Sequence, residues 1–406
     1  MPSLQDLDLP EIDMFDPEFA RDPHGVFRKA REAGAWMARY QFGYFALDYE
    51  TVKFIMRGDD FCRTPNHDIT MLWDAHGTPF ARFNDNMLMA LNGEEHRRVR
   101  SLIAPAFTPR EANKHRDLMR QTLIEQIGPV IAKGECDFVE AVTLYPITVI
   151  CQMIGVPTGD IPKFRNWVDG LDAGFGQDVD VLPKLNDALA NMFDYTDGLI
   201  EARKRADNPP DDLLQTLLDL TEEGVSLTKE ELQCLLIIVL GGGFDTTRNQ
   251  LVLLMKLMCE HPRYWPRVLE EPGFTKKLIE ECLRFYNPIG GGNHRVTNVD
   301  VEYRGVTIPA NTFITLSQAA PGRDPAANDD PETFDPDREK PNHITFGQGM
   351  HMCVGMFIAR ALLEEAIPIL ARAMREPRLA GEPEYRFPMG VWGLNSLPLS
   401  FTPGEI

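Results

Sequence analysis

The stretch from Thr228 to Cys259 constrains this chain more than any other. Thr228-Lys229-Glu230-Glu231 has the form of a capping box, in which the threonine hydroxyl and the later carboxylate satisfy backbone N–H groups at a helix start. Apolar residues then occupy nearly every helix face until His261-Pro262 stops the run. About 30 residues at roughly 1.5 Å each make a rod of about 45 Å. A rod that long, apolar almost all round, must be central and buried. In its middle stands Gly241-Gly242-Gly243-Phe244-Asp245-Thr246-Thr247. Each interior glycine costs about 1 kcal/mol against alanine, so three in a row need a reason. One reason is a large group lying against the helix, with Asp245 and Thr246 as a carboxylate and a hydroxyl for proton relay. The other is a helix break, with Asp245 capping a second segment. No Gly-Lys-Ser/Thr follows, which excludes a phosphate loop.

The remaining residues suit a large fold around that helix. The chain has 406 residues, beyond the roughly 250–300 of an ordinary single core, so it forms either two domains or one large architecture. Its 41 Lys plus Arg against 61 Asp plus Glu leave a net charge of −20. That balance argues against nucleic acid, which requires a concentrated basic surface. The longest apolar run in the central stretch, Cys234 to Leu240, falls far short of the ~20 residues of a membrane span. The acidic N-terminus has no cationic and apolar signal-peptide regions, so a soluble, cytoplasmic protein is expected. The seven cysteines are odd in number and lack any C-x-x-C, which fits neither a disulfide framework nor a zinc ribbon.

Helices dominate the pattern elsewhere: residues 138–154, 182–204, 275–286 and 354–374, the last expected to kink at Pro368. Strand-like pieces occupy 299–303 and 307–316 around a Gly305 turn, and 385–402 alternates like a closing hairpin. The class is mainly α, an α+β chain with a small sheet.

Four features carry chemistry. In Phe346-Gly347-Gln348-Gly349-Met350-His351-Met352-Cys353-Val354-Gly355, glycines remove side chains where backbone must turn or approach something flat. Cys353 is expected at a helix start, where free N–H groups favour a thiolate suited to a metal; the plainer alternative is a turn with a packed cysteine. The glycine-rich helix centre is the second feature. Glu281-Cys282-Leu283-Arg284 is the third, an i,i+3 pair that usually means a solvated ion pair of little worth. The fourth is His96-Arg97-Arg98-Val99-Arg100, where His96 and Arg100 share a face and suit an anionic group. Residues 97–120 hold seven basic and two acidic side chains, which also suits a merely solvated basic helix.

Together and in their chain order (His96 to Arg100, Gly241 to Thr247, Glu281 to Arg284, then Phe346 to Gly355), the four features resemble the cytochrome P-450 family of haem-thiolate monooxygenases, soluble bacterial type, over essentially the whole chain. The resemblance implies a single domain, residues 1–406, folded as a triangular helical prism with a small β region. It implies haem b with Cys353 as axial thiolate, Phe346 and Gly347 beside it, and His96, Arg100, Arg295 and His351 at the propionates. It further implies Asp245 and Thr246 as the proton-delivery pair, and Glu281, Arg284 and Arg338 as a buried network. The expected reaction inserts one atom of O2 into a C–H bond of a small hydrophobic substrate. Electrons would come from NAD(P)H through a reductase and a ferredoxin or flavodoxin docking on the 97–120 face. Gly242 stands where many members carry alanine, which widens the groove. Candidate pocket residues are Met71, Leu72, Trp73, Phe80, Phe83, Met87, Val239, Gly243, Gly290, Gly291, Gly292, Val391 and Trp392, suiting a terpenoid, aromatic or steroid-like molecule. A peroxide-driven peroxygenase and a non-catalytic haem protein are the alternatives. The intact Asp245-Thr246 pair speaks against both.

Overall fold

A computed structural model of the chain describes residues 1–174, 179–222, 227–386 and 390–406. The central helix runs over Lys229–Glu260, and Thr228 closes the capping box: its N–H donates to the Glu231 carboxylate at 2.7 Å, and its hydroxyl accepts from the Glu231 N–H at 3.2 Å. The helix continues through Gly241-Gly242-Gly243 without a break, which removes the two-segment alternative. It is buried for most of its length, but not by apolar residues alone. Gln233, Asp245, Thr247, Arg248, Asn249, Gln250 and Lys256 are buried on it as well.

The chain divides into two compact units. The one holding the long helix comprises residues 66–275, 354–383 and 396–406. The helices Tyr145–Ile154, Ile161–Gly174 and Leu182–Lys204 pack on the long helix. The apolar stretch 138–154 is two helices, Phe138–Val142 and Tyr145–Ile154, because Pro146 lacks an N–H and starts the second one. The helix Met356–Ala373 carries Pro368 inside it. A three-stranded antiparallel sheet is ordered Glu135–Asp137, Pro398–Pro403, Met374–Leu379.

The other unit comprises residues 1–65, 276–353 and 384–395. Its five-stranded sheet runs Met37–Tyr40, Gly43–Ala46, Phe313–Leu316, Asn293–Thr297, Cys62–Arg63, with only the Gly43–Ala46 and Phe313–Leu316 pair parallel. Strict alternation sends Tyr44 and Ile314 into one apolar cluster and Ala38 and Phe45 into another. A short hairpin, Val301–Tyr303 with Val306–Ile308, turns at Arg304 and Gly305, both at positive φ, as the sequence pattern indicated.

The 385–402 tail is not one hairpin. Glu384–Tyr385 pairs with Leu394–Ser396, whereas Pro398–Pro403 joins the three-stranded sheet. The change of partner occurs at Leu397, whose carbonyl accepts from Phe138 N–H at 2.9 Å and whose N–H donates to Asp137 Oδ1 at 3.2 Å. Among the described residues no helix is long and apolar enough to cross a membrane.

Candidate active site

The loop before Cys353 is folded by its glycines. Gly347 and Gly349 have φ of 71° and 73°, in the left-handed region, and a Cβ on Gly349 would lie 2.5 Å from the Met56 carbonyl oxygen. The turn closes when Gly347 N–H donates to Ile344 O at 2.9 Å and Cys353 N–H donates to Phe346 O at 2.8 Å. Cys353 does not stand in the first helical turn, as expected. The helix starts at Met356 with Gly355 as N-cap, two residues further on, so helix-end stabilisation of a thiolate there is weaker than the sequence suggested. Exposure separates this cysteine from the other six instead. None of the seven is in a disulfide, and Cys353 alone is exposed. Burial pushes the thiols of Cys62, Cys151, Cys234 and Cys259 up to about 12 and that of Cys136 to about 11.

Arg295, on the strand Asn293–Thr297 of the same unit, is 5% exposed. Its Nη1 donates to the His294 carbonyl at 2.8 Å, and among the described residues no carboxylate forms an ion pair with it. Burial lowers its pKa, opposed by the more distant Asp59 and Cys62. A buried guanidinium without an anion is costly unless a negatively charged group completes it. His351 and Phe346, on the cysteine loop, are half-buried. A reachable thiol and a buried cation lacking its anion fit a metal-centred group that carries its own carboxylates.

The Glu281–Arg284 pair is not a surface bridge. Both side chains are at most 1% exposed, and all five guanidinium N–H groups are used. Nε and Nη2 donate to Glu281 at 2.7 and 2.6 Å, Nη1 to the carbonyls of Gly322 and Pro331 at 2.7 and 2.8 Å, and Nη2 to Thr333 O at 2.9 Å. Arg338 Nε lies 3.5 Å from Glu281, and its Nη2 donates to the carbonyls of Asp330 and Thr333. This cluster fastens the 321–341 meander to the helix Phe274–Phe285. Two residues absent from the sequence reading extend it toward Cys353. Asn287 Nδ2 donates to Thr345 Oγ1 at 3.0 Å, and Thr345 Oγ1 donates to Leu283 O at 2.8 Å. Asn287 gave itself away only as the residue before Pro288.

On the long helix the three glycines do different things. A Cβ at Gly241 would lie 2.9 Å from Leu171 Cδ1, and one at Gly243 would lie 2.5 Å from Ile150 Cδ1. A Cβ at Gly242 would meet only Ile238 of its own helix, at 3.8 Å. Gly241 and Gly243 admit neighbouring helices, while Gly242 leaves open space. Thr246, one turn on, donates its hydroxyl to Gly242 O at 3.0 Å. Asp245 is 1% exposed, and its carboxylate is held by Arg248 and by Asn249 Nδ2, the latter at 2.9 Å. His96 is buried and Arg100 half-buried on the helix Gly93–Ile103.

Several pocket candidates fare poorly. Met71 and Leu72 are 59% and 76% exposed, so they face solvent. Trp73 stacks on Phe80 with ring centroids 5.1 Å apart, and Phe83 and Met87 are buried. Gly243 is taken up by Ile150, and Val239 is half-buried. In the other unit Val391 bridges to Ile289, Gly291 and Trp392 are buried, and a Cβ on Gly292 would lie 3.2 Å from Gly390.

The basic 97–120 stretch is also largely neutralised. Arg98 pairs with Glu231, Arg116 with Glu364 and Glu365 at 2.7 and 2.6 Å, and Arg120 with Glu365 and Asp117. Three of these acids lie far away in sequence, so the local charge count overstated the free basic surface.

Comparison with known proteins agrees with this geometry. A family model described as cytochrome P450 matches residues 73–370. Luteothin monooxygenase of Streptomyces thioluteus is 34% identical over 399 residues, covering 97% of this chain and 96% of that protein. Vitamin D(3) 25-hydroxylase of Pseudonocardia autotrophica is 31% identical over 326 residues, 78% of each. Among solved structures, P450BioI in complex with an acyl carrier protein ligated to hexadec-9Z-enoic acid aligns with a TM-score of 0.85 at 28% identity, covering 95% of this chain and 100% of that one. The fold and the cysteine loop thus define a haem-thiolate monooxygenase, an oxidoreductase that uses O2 and NAD(P)H-derived electrons delivered by redox partners. The chain belongs to the cytochrome P450 family.

Proposed function

We propose that this monooxygenase oxidises a C–H bond of a terpenoid, aromatic or steroid-like molecule, with Cys353 as the residue that would hold the haem iron. The carrying observation is the exposed Cys353 on a glycine-shaped loop, in the same unit as a buried Arg295 with which no carboxylate among the described residues forms an ion pair. When bound, the haem supplies the redox chemistry that splits O2. Arg295 and His351 would pair with the propionate carboxylates, and Phe346 would keep water from the Cys353 sulfur. Glu281, Arg284 and Arg338 hold the meander, and with it the loop, in place. His96 and Arg100 are further residues that would suit a propionate. The Thr246 hydroxyl, now donating to Gly242 O, turns to hand a proton on, and Asp245 restores it. Gly242 leaves room for substrate beside Thr246. The chain works as a single domain spanning residues 1–406, in line with its cover of relatives of equal length.

Electrons enter from an acidic ferredoxin or flavodoxin. With Arg98, Arg116 and Arg120 already paired, the exposed Arg97 and Arg110 are the residues left to receive it. The deciding experiment is the reduced, CO-bound spectrum of wild type and Cys353→Ser. A thiolate-type Soret band in the first and its loss in the second is expected; the same band in both rejects the ligand assignment. Spin-state titration across terpenoids, aromatics, fatty acids and steroids then identifies the substrate class.

A further inference from the structure

Asn287 precedes Pro288 just beyond the helix Phe274–Phe285 and is 1% exposed. A buried amide must find partners for two N–H donors and a carbonyl oxygen. Asn287 finds them on three separate stretches of chain. Its Nδ2 donates to Gln318 O at 2.9 Å and to Thr345 Oγ1 at 3.0 Å, and its Oδ1 accepts from Ile289 N–H at 2.8 Å. These partners fix which way the amide faces, because a carbonyl can only accept and a backbone N–H can only donate. Thr345 is constrained in the same way. It is 8% exposed, and its hydroxyl donates at 2.8 Å to Leu283 O, one of the last four carbonyls of the helix. With its proton committed there, the hydroxyl accepts from Asn287.

Thr345 stands in the stem of the cysteine loop. The carbonyl before it, Ile344 O, accepts from Gly347 N–H, and the one after it, Phe346 O, accepts from Cys353 N–H at 2.8 Å. A shift of Thr345 therefore moves both acceptors that close the loop. On the other side of Asn287, Ile289 bridges to Val391, and Pro288 O accepts from Trp392 N–H at 2.6 Å. All these residues belong to one compact unit. We propose that Asn287 is a positioning residue for Cys353: its amide holds the stem of the cysteine loop, through Thr345, in register with the loop that begins at Ile289. The inference rests on the Cys353 role proposed above. An amide suits the place because it donates twice and accepts at once. Aspartate would keep the acceptor, lose both donors and set a carboxylate against the Gln318 carbonyl.

Hydrogen exchange of the haem-loaded protein, read by mass spectrometry over peptides 289–293 and 344–353, tests the link without turnover. Asn287→Ala should speed exchange about tenfold in both peptides, since each loses a buried partner. Asn287→Asp and Thr345→Val should speed it over 344–353 alone. The double variant Asn287→Ala/Thr345→Val should be no faster there than the faster single variant. In all of these, part of the reduced, CO-bound protein should move from the thiolate-type Soret band to the shorter-wavelength band of a neutral sulfur ligand. Thr345→Ser, which keeps the hydroxyl, should keep the wild-type band. A role in stability alone would lower the unfolding midpoint and leave the band of the folded protein unchanged. Wild-type exchange over 344–353 in Asn287→Asp and Thr345→Val overturns the proposal, as does simple addition of effects in the double variant. Should Asn287→Ala fail to load haem, Thr345→Val decides alone, because it leaves Asn287 its bonds to Gln318 and Ile289. A thiolate band that persists in Cys353→Ser would defeat the Cys353 role and leave the exchange result on Asn287 standing.

Discussion

Single residues decide the chemistry through their partners. Arg284 uses every donor it has, so removing one side of the pair leaves an uncompensated buried charge. Glu281→Ala should cost about 3–5 kcal/mol in denaturant unfolding and lower haem retention, and Arg284→Lys should not rescue the fold because lysine lacks the planar fork. His24 gives a pH-dependent prediction. It is 2% exposed, among the described residues neither ring nitrogen has a hydrogen-bond partner, and burial followed by Arg323, Arg31 and Arg284 holds its pKa well below 6.5. The unfolded chain protonates this histidine near pH 6.5 while the fold keeps it neutral. Stability is therefore intact above about pH 6.5 and falls below it, by up to ~1.4 kcal/mol per pH unit from this group. His24→Phe should flatten the melting-temperature profile between about pH 6.5 and 5; an unchanged slope would mean that other groups cause it. The glycines offer a contrast at the same scale. Gly242→Ala should stabilise the helix by up to about 1 kcal/mol and tighten the groove, whereas Gly243→Ala should gain little because the Ile150 methyl must move.

Elements differed in how well the sequence displayed them. The long helix was legible end to end, since its cap, its apolar run and the stopping His261-Pro262 are all local signals. Thr228→Ala should cost about 1 kcal/mol, read in thermal unfolding. The strands were mostly hidden. Cys62–Arg63 and Glu135–Asp137 have two and three residues, too few to show alternation, and exist only because a partner strand saturates their backbone. The basic stretch misled for the opposite reason: its charges are local but their partners are not. Arg110→Glu should slow reduction by an acidic ferredoxin severalfold at low salt, with the effect shrinking as salt rises. Arg98→Glu should act mainly by repelling Glu231 and destabilising the head of the long helix. Equal slowing by both, without loss of stability in Arg98→Glu, would restore the wider docking face.

At the scale of the whole molecule, the family was readable because its constraints are local in sequence. Phe346 to Gly355, Asp245-Thr246 and Glu281–Arg284 each span ten residues or fewer. The same holds for the reaction class but not for the substrate, whose candidate pocket residues lie far apart in the chain. Of the pocket candidates, Met71 and Leu72 turned outward and Gly243 was taken by a neighbouring helix, and no local pattern distinguishes these fates. The sequence alone determined the mainly helical class, the central helix, the cysteine loop and the candidate acid, since periodicity, capping and glycine strain act over a few residues. Only the tertiary structure decided which cysteine is exposed, which arginine is buried without an ion pair among the described residues and which basic residues are already paired. Those properties depend on burial and on charges brought together across long separations, and no short stretch of chain encodes them.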